Sequence, residues 1–206
     1  MPYTKLILFY SLMMIISVGS LVAQNKEGYK VGDKARDFSL KDVSGEMVSM
    51  ASQSDAKGFL VIFSCNTCPY VVAYEDRMIE LHKKYAPQGY PVIAINPNDK
   101  TLSPGDSFEK MQERANDKNF PFAYLYDETQ EITRAYGATR TPEVYLLQRQ
   151  GKEYMVKYIG AIDNNYREAG QANDKYVEDA MDAVLNNRQI AQTSTKAIGC
   201  TIKFRK

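Results

Sequence analysis

Cys65-Asn66-Thr67-Cys68 and a lone Cys200 near the C-terminus are the three cysteines of this chain. Cys65 and Cys68 are three residues apart, about one helical turn, so their sulfurs can close a disulfide and open it again. The attacking species in such an exchange is the thiolate. A cysteine set between a strand and a helix start faces free backbone N–H groups and the positive end of the helix dipole. The pKa of Cys65 is therefore expected to fall below the free-thiol value of about 8.5. This reading makes Cys65 the nucleophile and Cys68 the resolving thiol. Other chemistries stand beside it. A redox-inert disulfide would close a very small loop and gain little chain entropy. A structural zinc site wants four ligands, whereas the sequence offers one CxxC, a distant Cys200 and a single histidine, His82. Copper needs fewer ligands, but His82 falls three to four helical turns past the thiols, roughly 20 Å along the axis, and reads as a surface histidine. No metal and no cofactor are expected. A metal carrier using Cys65 and Cys68 is the non-enzyme alternative.

The elements around these residues read as an alternation of strands and helices. Phe59-Leu60-Val61-Ile62-Phe63 is an unbroken apolar run, the pattern of a strand buried on both faces, and it ends just before Cys65. Pro69 to Tyr85 reads as a helix, with Val72, Met78, Ile79 and Leu81 recurring at roughly helical spacing and charged residues between them. Residues 91–96 are a second buried strand. Ser103-Pro104-Gly105-Asp106 reads as the start of another helix, with Phe108, Met111 and Ala115 as its apolar stripe. A short strand at 122–126, a short helix at 127–136, a strand at 143–147, a turn at Gln150-Gly151 and a partner strand at 154–159 follow. A helix at 176–185 closes the series. Ahead of them, 37–50 reads as two short strands around Ser44-Gly45, after a polar lead-in at 24–36. The tail carries Cys200 and a short strand expected at 201–204. Helices between the early apolar runs imply parallel strands, and the late hairpin implies an antiparallel edge. Thr141-Pro142 stands just before the strand at 143–147, where proline is tolerated because no ladder N–H is required of it.

The first 23 residues are of another kind. Lys5 is their only charge, Leu6 to Val22 is almost wholly apolar, and Ala23 is a small residue at the exit. That is the form of a secretory signal; an uncleaved anchor is the alternative, at the short end of a membrane span. The chain is thus expected to be exported, periplasmic or otherwise extracytoplasmic. The organisation read from the sequence is a signal at 1–23, one domain at 24–190 and a tail at 191–206. With 26 basic and 25 acidic residues, the chain lacks the basic excess that nucleic-acid or acidic-membrane binding requires.

Taken together, the strand 59–63, Phe63-Ser-Cys-Asn-Thr-Cys-Pro-Tyr-Val71, Ala138-Thr-Arg-Thr-Pro-Glu-Val144, Gly160-Ala161 after the hairpin and Gly199-Cys-Thr-Ile-Lys203 resemble the thioredoxin superfamily. The likeness is to its redoxin branch, which includes alkyl hydroperoxide reductase-like and exported thiol-disulfide proteins. It runs from about Val31 to Leu185. The resemblance implies an α/β thioredoxin fold, with a central mixed sheet flanked by helices, an N-terminal hairpin and an inserted helix. It implies a thiol-disulfide oxidoreductase whose partners are protein thiols and disulfides, here read as a reductant. It also implies that Pro142 is cis and packs against the disulfide, with Thr141, Asn66 and Thr67 at the substrate-docking surface. The chain departs from thioredoxin in having Ser64 before the first cysteine and Asn66-Thr67 between the two. A thiol peroxidase is the competing enzyme. Its Pro-x-x-x-Thr-x-x-Cys motif, set on Cys68, would need Thr at Cys65 and Pro at Val61, and both differ; Arg140 is the candidate guanidinium and otherwise reads as a surface residue. Cys200 is either a third redox thiol or a small buried hydrophobe.

Overall fold

A computed structural model describes residues 28–206. The expected export segment at 1–23, and residues 24–27 of the lead-in, lie outside the described residues. Among those described, no helix is long and apolar enough to cross a membrane.

The run Gly58–Phe63 forms the central strand β4 of an eight-stranded sheet. Its side chains alternate between two apolar environments, which is why the sequence shows no polar alternation. Leu60 and Ile62 face one core, with Met78, Leu81, Tyr85, Met111, Val177 and Met181. Phe59, Val61 and Phe63 face the other, with Ile132, Tyr136, Tyr145 and Val156. Phe63, Tyr136 and Tyr145 meet edge to face, with centroids 5.3–5.6 Å apart.

From β4 the chain enters helix α1 (Pro69–Tyr85) and returns as β5 (Val92–Asn96), parallel to β4. It then passes through α2 (Phe108–Lys118) to β6 (Ala123–Tyr126), parallel to β5. Helix α3 (Glu131–Tyr136) lies on the opposite face. The long hairpin β8 (Glu143–Gln150) and β9 (Glu153–Gly160) follows, β8 antiparallel to β4, and α4 (Tyr176–Leu185) packs on the first core. On the far side, β2 (Leu40–Asp42) and β3 (Met47–Val48) make the expected small hairpin, with Gly45 at φ 95° in its turn. This is the mixed α/β sheet and thioredoxin fold that the sequence resemblance implied.

Four details differ from the sequence reading. Lys34–Ala35, read as lead-in, is a strand, β1, paired with β9. The helix expected from Ser103 starts at Phe108, capped by the Ser107 side chain, and Pro104–Asp106 is a separate 3₁₀ turn. The tail strand is not 201–204 but β10, Cys200–Thr201, paired antiparallel with β7, Arg140–Thr141, a two-residue strand too short to show a pattern. Nor is His82 a free surface group: it is half-buried, accepts the Val92 N–H at 3.2 Å and packs on Phe122, and burial lowers its pKa.

Helices α1 and α2 are tied by one buried ion pair. Glu75, 1% exposed, accepts both Arg114 Nε and Nη2 at 2.7 Å, and Lys118 lies 3.4 Å away. Removing one partner leaves a buried charge uncompensated, which is the expensive way to break such a pair. Arg114→Ala is therefore expected to cost about 3 kcal/mol in urea unfolding, at the low end for a buried pair because Lys118 remains. Adding Glu75→Gln to it should recover part of the loss; wild-type stability in Arg114→Ala would disprove the assignment.

Candidate active site

The two cysteines of the CxxC sit where β4 gives way to α1. Ser64 continues the sheet by donating its N–H to Ile95 O at 2.8 Å. Cys65, Asn66 and Thr67 then turn, and Cys68 is the residue that caps α1, with Pro69 in the first helical turn. Proline suits that place because its missing N–H would have had no helical partner. Both sulfurs are enclosed: Cys65 is 3% exposed and Cys68 2%.

The turn is held from below by Asp106, which is fully buried. Its Oδ1 accepts the backbone N–H of Asn66 (2.7 Å) and of Thr67 (3.1 Å). Its Oδ2 accepts Thr67 Oγ1 (3.0 Å), Asn98 Nδ2 (2.8 Å) and Ser103 Oγ (2.6 Å). Asn66 is fixed a second time, donating to Gly105 O and accepting from the Tyr124 hydroxyl, each at 2.9 Å. The turn at 104–106 thus does not serve as the helix start; it delivers a carboxylate to the CxxC backbone.

The Thr141-Pro142 peptide is cis, and it lies beside the sulfurs. Thr141 Oγ1 is 3.3 Å from Cys65 Sγ, and the Cys68 thiol donates to Thr141 O at 3.2 Å. Strand β10 lies along the other side of Thr141, with Cys200 in register opposite it. Cys200 is half-buried and packs with Cys65, Cys68 and Val71. So the structure gathers all three cysteines, Thr141 and Pro142 into one cluster, with Asn66 and Thr67 in the turn above Asp106. Arg140, read as a surface residue, instead donates from Nη1 to Gly199 O at 2.9 Å.

Protonation is distributed differently from the sequence expectation. Cys65, not Cys68, keeps the proton: hydrogen bonding to the Cys68 sulfur, then burial, then the Asp106 charge push its pKa up. Cys68 is lowered to about 5 by the Cys65 thiol, with further help from the Cys200 thiol and the backbone N–H groups of Val71 and Cys200, and against its burial. The hydrogen bond between the two sulfurs places the proton on Cys65 and the charge on Cys68. The Thr141 carbonyl opposes this, since it favours the protonated form of Cys68. Cys200 is raised to about 11, by burial first and the Cys68 sulfur second.

Asp106, Asn98 and the β10 strand are functional features the sequence reading missed. Asp106 lies 40 and 39 positions from Asn66 and Thr67, whose backbone amides it accepts, and no spacing rule marks such a pairing. Among the described residues, no group of three or more His, Cys, Asp or Glu side chains is arranged as a metal site.

Comparison with known proteins gives the family and the fold. The model of the AhpC/TSA family matches residues 31–156. The thiol-disulfide oxidoreductase ResA of Geobacillus thermodenitrificans is 26% identical over 147 residues, 68% of this chain and 79% of that protein. An uncharacterized conserved protein from Geobacillus kaustophilus superposes with a TM-score of 0.78 at 33% identity, covering 85% of this chain and 93% of its own. A hypothetical protein from Sinorhizobium meliloti 1021 gives 0.77 at 32% identity, covering 86% and 96%.

Asp106→Asn is expected to destabilise the fold by about 2 kcal/mol or more, since an amide cannot accept all of these donors and buried donors without partners cost 1–3 kcal/mol each. It also removes a negative charge beside Cys65, so the Cys65 thiol should titrate at lower pH. Ultraviolet thiolate absorbance followed against pH checks this; an unmoved or rising titration would exclude a role for the carboxylate at the thiols.

Proposed function

The chain belongs to the AhpC/TSA family, and we propose that it is an extracytoplasmic thiol-disulfide oxidoreductase that exchanges disulfides with protein partners through Cys65 and Cys68. The observation that carries this reading is the pair itself. Two enclosed sulfurs stand at a strand-to-helix junction, bridged by the Thr141 side chain and carbonyl, in a turn whose backbone amides are held by a buried carboxylate. That turn fixes both sulfurs of the dithiol at the junction, three residues apart on a rigid backbone, which is what a reversible exchanger requires. The relatives named thiol-disulfide oxidoreductase support the same class of reaction. The extracytoplasmic placement rests on the apolar segment 6–22 behind Lys5, and persistence of a disulfide in such a compartment is ordinary chemistry.

In this mechanism the pair passes between dithiol and disulfide. The thiolate at Cys68 is the charge available near neutral pH. Cys65 becomes the attacking sulfur once its proton has been passed on, and Thr141 Oγ1 is placed to donate to it. Thr141 and Pro142, read from the sequence as a docking surface, are buried beneath β10 and instead hold the two sulfurs from the side, and Asn66 and Thr67 fix the turn. We read the direction as reduction of partners. Enclosure of Cys68 disfavours the thiolate that only the dithiol carries and so favours the uncharged disulfide, which makes the dithiol the better electron donor. The stabilised Cys68 thiolate pulls the other way.

Two measurements test this. Cys65→Ser and Cys68→Ser should each lower turnover of a disulfide-bearing protein at least about a hundredfold, because the mixed disulfide can no longer be resolved or formed; retained turnover in both would refute the assignment. Equilibration in glutathione buffers should give the pair a potential close to that of thioredoxin, about −270 mV, whereas a value near about −120 mV would mark a disulfide donor and reverse the direction. Separately, alkylation of the reduced protein should be slow below about pH 5 and reach its plateau just above it, since the Cys68 thiolate is lost as pH falls through about 5; a midpoint near the free-thiol value of about 8.5 would contradict the charge distribution.

A further inference from the structure

The exposure of the three sulfurs is graded. Cys65 and Cys68 are almost fully enclosed, while Cys200 is half-buried at the rim of the same cluster. Cys200 does not reach this place by chance contact. Its strand is hydrogen-bonded to Arg140–Thr141, with Cys200 opposite Thr141. Arg140 Nη1 holds Gly199 O at 2.9 Å, and the Ile202 N–H is held by Thr139 O at 3.1 Å. Beyond the strand, the Lys203 N–H donates to Asn98 Oδ1 and the Lys203 carbonyl accepts Asp99 N and Gln130 Nε2. Arg205 is bound to Gln130 Oε1 and Asp99 Oδ2. Gly199 is required by the approach itself: a Cβ there would lie 2.0 Å from Thr141 O. A tail fastened on both sides of one cysteine, with that sulfur against Cys68, is a built arrangement.

We propose that Cys200 is the outer thiol of a three-sulfur relay, passing a partner's disulfide to the enclosed Cys65–Cys68 pair through a transient Cys68–Cys200 disulfide. The proposal rests on the redox reading above and deepens it. Cys200 attacks a protein disulfide as its proton passes to the departing partner sulfur; that sulfur leaves as a thiol and the other stays bonded to Cys200. The Cys68 thiolate attacks the Cys200 sulfur, the Cys68–Cys200 bond forms, and the second partner thiolate leaves. Cys65 then attacks Cys68, the Cys65–Cys68 bond forms, and Cys200 departs as a thiolate that takes up the Cys65 proton. The partner receives two electrons, one proton from Cys200 and one from solvent at the thiolate that leaves second, and the chain ends with one disulfide. Run backwards, the same steps let an external dithiol reduce a pair it cannot touch directly.

The test uses the purified chain and oxidised glutathione. In Cys65→Ser the relay stops at its middle step, so non-reducing peptide mapping should find Cys68 joined to Cys200 as the main product. In Cys200→Ser the Cys65–Cys68 disulfide should still form, at least about tenfold more slowly than in wild type. Gly199→Val keeps all three thiols but prevents the strand from seating; combined with Cys65→Ser it should lose the Cys68–Cys200 link, with its thermal transition read to show that it folds. Glutathione bound to Cys68 or Cys200 in Cys65→Ser with no Cys68–Cys200 link, or oxidation of Cys200→Ser at the wild-type rate, would overturn the relay while leaving the two-cysteine function standing. A wild-type chain in which Cys65 and Cys68 never join would overturn both.

Discussion

The carboxylate of Asp106 is the constraint on which the site depends. It is enclosed and takes five donors, two of them the backbone amides of Asn66 and Thr67. Burying a charge is costly unless its lone pairs are filled, and a carboxylate filled in this way becomes a rigid centre. Everything near it inherits that rigidity. The CxxC turn cannot drift because its own amides are committed, and the turn at 104–106 must bend sharply enough to bring the side chain inward, so α2 starts two residues later, at Phe108. Through Asn98, whose amide binds Asp106 and whose carbonyl binds Lys203 N, the same centre reaches the tail. One side chain thus links the catalytic turn, the second helix and the C-terminal segment.

The rest of the fold makes that centre possible. Strand β4 presents apolar side chains to both layers, so its end is fixed from two sides, and the cysteines follow from a point that does not move. The edge-to-face cluster of Phe63, Tyr136 and Tyr145 lies just beneath the site on one face. The Glu75–Arg114 pair fixes the two helices on the other. Gly160 shows how closely the tail is fitted elsewhere: its φ is 152°, and a Cβ would lie 2.2 Å from Thr195 Oγ1, which accepts the Ala161 N–H. The Gly160-Ala161 pair that marked the family in the sequence is therefore a seat for the tail.

Much of this was legible in the residues. The strand at 59–63, the helix after the CxxC, the parallel order of the early strands and the late hairpin all follow from apolar periodicity and turn residues. The cis Thr141-Pro142 bond, by contrast, was reached only through family likeness, because a proline before a strand has an ordinary explanation. Asp106 looked like part of a helix start, and an aspartate after Ser-Pro-Gly suits that role well; nothing local says that its partners lie in another turn. The helix start was read at Pro69, where it lies, yet the thiolate expected at Cys65 falls to Cys68, because the Cys65 and Cys200 thiols both donate to it, and the second of these contacts spans more than 130 residues that no local pattern connects. Strand β10 has two residues, below any pattern, and exists only because β7 offers it an edge.

The clasp at residues 203–205 has a consequence for how often the third sulfur meets the other two. A thiol on a free partner meets them at the rate its concentration allows. A thiol on a flexible tether behaves as though present at millimolar levels. Cys200 is held tighter than a tether, in register on a strand and secured beyond it, so its local concentration at Cys68 is set by the geometry of the chain alone and does not change with dilution. The sulfur cluster therefore keeps the same internal composition however sparse its partners become.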